Sequence, residues 1–181
     1  MAIYFQNEDV NKTVVEAARH IANAVRTAPK ARGMDNLVIA VLDAEELPAV
    51  AQTMMRMHEE GRAADFFVRD AHNLMASQAL LLIGTKIKVL GLNCGLCGFE
   101  TCKKKSEYPA VPCAYNLNDL GIAMGSSAAR AADMRLDSRV MYSAGAAAKE
   151  MKLLGDDVAV VFGLPLSAGS KSPYFDRKAV K

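Results

Sequence analysis

Apolar residues between positions 12 and 26 fall at helical spacing: Val14, Val15, Ala18, Ile21, Ala22 and Val25 share one face. The segment TAPKARGMD then reads as a Pro/Gly loop. Leu37 to Leu42 (LVIAVL) is an unbroken apolar run bounded by polar residues, which predicts a buried strand. Asp43 is placed to cap a helix near 44–58, with a stripe of Leu47, Val50, Ala51, Met54 and Met55 and with Pro48 in its first turn. Asp70 is read as the cap of a short helix ending at Ser77, and Ala79 to Ile83 (ALLLI) as a second buried strand.

Further along, Asn116 to Asp133 predicts a helix with a column of small residues: Gly121, Gly125, Ala128 and Ala132. Glycine inside a helix costs about 1 kcal/mol against alanine, so such a column predicts close approach by another helix or a flat ligand. Residues 144–154 form an alanine-rich helix, with a turn at Gly155-Asp156. Val158 to Phe162 (VAVVF) predicts a third buried strand, and GLPLSAGSKSPYFDR a Gly/Pro/Ser loop and tail. Strands interleaved with helices in this way predict an α/β or α+β layered sandwich with helices on both faces, taken here as α+β with a central mixed sheet. Residues 1–181 read as one domain, within which residues 91–115 form an inserted, cysteine-rich segment with little apolar periodicity.

Composition excludes several classes. The chain has 181 residues, of which 51% are hydrophobic and 23% charged, which is ordinary for a globular protein. Its formal net charge of +2 is too balanced for a basic nucleic-acid-binding stripe. No apolar run approaches the roughly 18 residues of a membrane helix. The opening MAIYFQNEDVNK has no signal-peptide layout, so a cytoplasmic location is expected, without nucleic-acid or membrane partners.

The four cysteines change the picture. Cys94, Cys97, Cys102 and Cys113 fall in one stretch, GLNCGLCGFETCKKKSEYPAVPC, spaced C-x2-C-x4-C-x10-C. Disulfides suit a reducing compartment and a chain with a good core poorly. Structural zinc usually takes two short knuckles, and here Cys94 and Cys97 alone form such a pair. An iron–sulfur cluster fits best, because a wrapping loop delivers several thiolates in succession and the last from further away. Gly95 and Gly98 follow the first two cysteines and permit sharp turns close to sulfur, while Pro112 stiffens the approach to Cys113. Four ligands suit [2Fe–2S] or [4Fe–4S], and the C-G-x-C-G-x3-C run favours [4Fe–4S] by its similarity to iron–sulfur loops of anaerobic electron-transfer proteins.

Lys103, Lys104 and Lys105 follow at once. They read either as a solvated helix face or as cations that ease reduction and steer an acidic electron-carrier protein. Arg26, Lys30 and Arg32 likewise read as exposed loop charges or as an anion site suited to phosphate. Gly163 and Pro165 read as turn residues ending a strand, and Tyr142 and Ser143 as structural, with no neighbouring base in sequence. His20, His58 and His72 have no metal-ligand spacing.

The stretches APKARGMDN, GLNCGLCGFETC, DLGIAMGSSAARAADMRLDSRVMYSAG and GLPLSAGSKSPYFDR together resemble a bacterial and archaeal family of ferredoxin-domain-containing proteins. The resemblance spans nearly the whole chain and implies an iron–sulfur cluster. A second resemblance is to nitroreductase-type flavoproteins, carried by the Ala-Pro loop and strand at 28–42 and by the late helix followed by VVFGLPL. It implies a nitroreductase-like fold, a homodimer, and FMN as a second cofactor near Lys30 and Arg32, along Gly163 and Pro165, with Arg177 at its phosphate. The chain departs from that pattern in lacking the N-terminal arginine clamp and the tryptophan after the loop. The expectation is an iron–sulfur redox protein in electron transfer or flavin-linked oxidation and reduction of a small molecule. Its rival is a non-catalytic ligand-binding or sensing module stapled by a cluster or by zinc.

Overall fold

The computed structural model describes residues 3 and 5–175. In chain order its elements are α1 (Gln6–Thr27), a 3-10 turn (Ala31–Gly33), β1 (Leu37–Asp43), α2 (Leu47–Glu59), α3 (Phe66–Met75) and β2 (Ala79–Lys86), then α4 (Cys102–Ser106), α5 (Ala114–Asp133), β3 (Asp137–Ser138), α6 (Tyr142–Glu150) and β4 (Val158–Ser167). The strands form one sheet in the order β1-β2-β4-β3. The expected layering holds, but the pairings are antiparallel throughout rather than mixed.

β2 lies inside the sheet and is buried on both faces, which is why it reads as a continuous apolar run. Its alternate residues serve two cores. Ala79, Leu81 and Ile83 pack with Val14, Ala18, Ile21 and Val25 of α1 and Leu120, Ala123 and Met124 of α5. Leu80 and Leu82 pack with α2, α3 and α6 through Met54, Leu74 and Ala144. α6 approaches β4 so closely that a methyl group at Gly145 would sit 2.0 Å from the Val161 carbonyl oxygen. β1, predicted as a buried strand, is an edge strand and is mostly half-buried.

Several local expectations are corrected. Asp43 closes a turn, accepting the Glu45 N–H at 3.0 Å, and α2 starts only at Leu47; Pro48 does lie in its first turn. Asp70 is no cap. It sits inside α3 and is buried, taking hydrogen bonds from Arg69, Arg139 and Ser143. The small-residue column faces outward: Gly121, Gly125 and Ala132 are exposed, and nothing lies within 4 Å of a methyl group built on either glycine. α5 instead packs through Leu120, Ala123 and Ser127, and Ser126 donates to the Ala24 carbonyl of α1 at 2.9 Å. Finally, β4 runs on through Gly163 and Pro165, which are strand residues rather than a terminal turn. Gly163 exchanges both backbone hydrogen bonds with Met141. On the same edge the ladder to β3 is interrupted at Pro165, which has no N–H to give.

Candidate functional site

The segment between β2 and α5 departs from the sheet and returns to it without a core of its own, so its course is fixed by turns and tethers. Gly95 and Gly98 adopt φ of 71° and 84°, and the Gly98 N–H donates to the Gly95 carbonyl at 2.9 Å, closing a tight turn around Leu96 and Cys97. This is the sharp bending the sequence predicts at these glycines. Asn93, also left-handed at φ 49°, braces that turn against α4. Its N–H donates to Cys102 Sγ at 3.2 Å, and its Oδ1 accepts the Cys102 N–H at 2.8 Å. Thr101 caps α4 by accepting the Lys104 N–H. Cys113 stands at the N-cap of α5, where the positive end of a long helix favours negative charge.

The outcome is convergence. Cys94, Cys97, Cys102 and Cys113 all line one small pocket, open in part to solvent, with Leu90 in its wall. The four are free thiols, not disulfides. Lys105 lines the same cavity and is 2% exposed, whereas Lys103 and Lys104 are exposed on the other side of α4. The solvated reading of the lysine run therefore holds for two residues and fails for the third. Lys105 escapes sequence reasoning because the run looks uniformly polar; the available signal is its spacing of three from Cys102, which puts both on one helix face.

This donor set fits a negatively charged polynuclear iron–sulfur group. Four soft sulfurs, a backbone N–H already directed at one of them, a helix N-terminus and a buried cation suit such a group together. Among the described residues no three His, Cys, Asp or Glu side chains stand close enough together to hold a metal ion.

The residues read as a flavin set are not brought together. The Lys30 ammonium donates to the carbonyls of Val25, Arg26 and Ala28 at 3.1, 2.9 and 2.8 Å, closing the C-terminus of α1. Arg26 pairs with Asp35 at 2.5 Å. Arg32 reaches 58 positions ahead, its Nη1 donating to the Leu90 carbonyl at 2.5 Å, so it anchors the cysteine segment. Asp119 of α5 accepts the Ala31 N–H and holds the same loop from the other side. Gly163 and Pro165 are buried in β4, and the open side of Gly163 meets Ala144 and Leu80 on the sheet face opposite α1. Arg177, and Asp176 beside it, lie outside the described residues. Within one chain, then, the described members of this set make other contacts: Lys30 and Arg32 hold loop backbone, and Gly163 packs against Ala144 and Leu80.

Ser143, at the start of α6, does have a carboxylate partner, 2.6 Å away in Asp70. That carboxylate is occupied by Arg69 and Arg139, and Arg139 also donates to the Tyr174 carbonyl. Tyr174 in turn shares a hydrogen bond with Ser77, and burial pushes its hydroxyl pKa up. The cluster ties α3, α6 and the end of the described chain together and has no free base.

The architecture is that of the nitroreductase fold. A nitroreductase family protein from Clostridium novyi NT superposes with a TM-score of 0.60 at 16% identity, over 89% of this chain and 76% of that one. A putative nitroreductase in complex with FMN from Desulfovibrio desulfuricans gives 0.58 at 12% identity, over 91% and 80%. A further FMN-containing oxidoreductase gives 0.59 at 17% identity, over 86% and 67%. At these identities the likeness establishes the fold alone. A protein of Archaeoglobus fulgidus, described as uncharacterized, is 42% identical over 179 residues, covering 94% of this chain and 95% of its own. The family model described as "Uncharacterized protein containing a ferredoxin domain" matches residues 110–177. The chain belongs to that family of ferredoxin-domain proteins. The matched stretch contains Cys113 but not the three earlier cysteines, so their assignment as ligands rests on the cavity they share. Among the described residues no helix is long and apolar enough to cross a membrane.

Proposed function

We propose that this protein is a one-electron redox protein of a reducing, cytoplasmic compartment, holding a [4Fe–4S] cluster on Cys94, Cys97, Cys102 and Cys113. The observation that carries the reading is that four cysteines spread over twenty residues of coreless loop all face one cavity. Such a group, once bound, accepts and returns single electrons at a potential set by its surroundings. The chain's own part is to hold and to tune. Gly95 and Gly98 bend the loop so that Cys94 and Cys97 reach the same space. The Asn93 N–H gives Cys102 Sγ a hydrogen bond, and α5 directs its N-terminus at Cys113. Arg32 fixes the wall of the cavity through Leu90.

The partner that fits this chemistry is an acidic electron-carrier protein, met by the exposed Lys103 and by the apolar Leu92 and Leu96, which are 44% and 66% exposed. Reduction of a small-molecule substrate and a homodimer of the chain belong to the same reading. FMN is the second cofactor of the same reading, supported by the nitroreductase-like fold shared with FMN-containing proteins; no step is routed through it.

Protein purified without oxygen should be brown, contain iron and acid-labile sulfide, and bleach on dithionite reduction. Cys97→Ser should lose the cluster and the order of residues 92–115, read as lost iron and as accelerated hydrogen exchange there. A colourless protein holding one zinc, or full iron retention by the variant, would overturn the proposal. Flavin fluorescence released on denaturing the same sample would reopen the two-cofactor reading.

A further inference from the structure

Lysine is strongly hydrated, and a buried ammonium is costly unless an anion meets it. Lys105 is 2% exposed, and no hydrogen bond or ion pair joins its ammonium to another described residue; the little surface the residue keeps includes that ammonium. Its neighbour Lys104, by contrast, is exposed and pairs with Glu107 at 2.7 Å. The wall that Lys105 shares is that of the four-cysteine cavity, and α4 holds it one turn from Cys102. A methionine or leucine would fill such a position without the desolvation cost. A cation there makes sense when the cavity holds negative charge, and four thiolates with their iron and sulfide supply it.

We propose that Lys105 is the fixed counter-charge of this site and sets its reduction potential upward; the inference rests on the cluster reading above. In the one-electron reduction, a reductant of the electron-carrier class (dithionite in vitro) gives one electron and the site becomes one unit more negative. A positive charge held nearby at low dielectric favours that form. Lys105 transfers no proton or electron; it is a positioning charge.

The test uses the full chain, loaded without oxygen with ferrous iron and sulfide, as wild type, Lys105→Met and Lys104→Met. Methionine keeps the length and the apolar stem and removes the charge. The equilibrium constant for one-electron reduction should fall about tenfold or more in K105M, a downward shift of about 59 mV, and less than about threefold in K104M. Metal-free K105M should resist urea at least as well as metal-free wild type, because an unpaired buried charge is gone. K105M that folds without metal but does not retain iron after loading also supports the proposal. A loaded K105M whose constant stays within about threefold of wild type overturns it, as does a metal-free K105M that unfolds, which would make Lys105 a packing residue. Wild type that takes up no iron and sulfide overturns the cluster reading itself, and is distinguished because the failure is then in the unaltered chain.

Discussion

Arg32 offers a measurement that separates the two readings of the basic loop. Its guanidinium donates to the Leu90 carbonyl at 2.5 Å and lies 3.6 Å from where a methyl group on Gly91 would be. Leu90 is 2% exposed and forms part of the wall beside the cysteines. A hydrogen bond from a charged donor is worth about 1.5–3 kcal/mol, and water competes at the exposed arginine, so a value at or just below the bottom of that range applies, about 1–2 kcal/mol. That is about 5- to 30-fold in the balance between docked and undocked cysteine segment. Arg32→Ala should therefore speed hydrogen exchange over residues 88–113 and iron release to a chelator by that factor, leaving exchange in β2 unchanged. Backbone strain gives a second handle. Arg32 adopts φ 57°, which alanine resists by about 1–2 kcal/mol and glycine does not. Arg32→Gly should thus lose the same anchor yet unfold at higher urea than Arg32→Ala. Exchange and iron release within about twofold of wild type in both variants would refute the anchoring role. A selective loss of flavin or phosphate affinity would return Arg32 to an anion site.

The same chemical change should have opposite signs at two glycines. A methyl group at Gly145 would meet the Val161 oxygen at 2.0 Å, the Val161 carbon at 2.5 Å and the Phe162 Cα at 2.6 Å, all backbone. Gly145→Ala should cost about 2 kcal/mol or more net of its gain of about 1 kcal/mol in helix propensity. Gly125→Ala, with open space around it, should stabilise by about 0.5–1 kcal/mol. Urea unfolding reads both, and a neutral Gly145→Ala would contradict the close packing of α6 on β4. Asp35 supplies a pH test. Burial alone would raise its pKa, but the hydrogen bond from Arg26, with the Leu37 N–H and the charge of Lys30, outweighs burial and holds the carboxyl below its usual range. A depressed folded-state pKa contributes stability that is present above the unfolded value, about 4, and is lost as pH falls through the folded one. Asp35→Asn should lower stability at pH 7 and flatten the acid limb of the stability profile; parallel profiles for the two proteins would refute this.

What was legible in the sequence, and what was not, divides along the source of the structural constraint. α1 and β2 bury whole faces against the sheet or the helices, so their apolar periods of 3.6 and of continuous burial are written into the residues themselves. Gly121 and Gly125 misled because a small residue marks close approach only if something approaches, and the face of α5 that meets α1 is the other one. Pro165 hid the second half of β4, since proline looks like a terminus; here its missing N–H faces an edge where the β3 ladder is already interrupted. Asp70 looked like a cap because carboxylates usually are at helix starts, and the two arginines that permit its burial differ in visibility: Arg69 is adjacent, while Arg139 lies 69 positions on.

The candidate site shows the same division most sharply. Its four cysteines and the two glycines that turn the loop are local, and both were readable. Its shape is not local: the tethers are Arg32 to Leu90 over 58 positions and the Lys88 N–H to Asn116 Oδ1 over 28, with the reciprocal Asn93–Cys102 pair closing the turn. None of these is hydrophobic, so no periodicity announces them. A segment held by a few hydrogen bonds around thiols and one buried ammonium gains little from apolar burial. On the proposed reading, its order in the loaded protein comes largely from what the sulfurs bind, and the balance between cation and anion inside the pocket governs both how firmly the segment closes and how readily the site takes an electron.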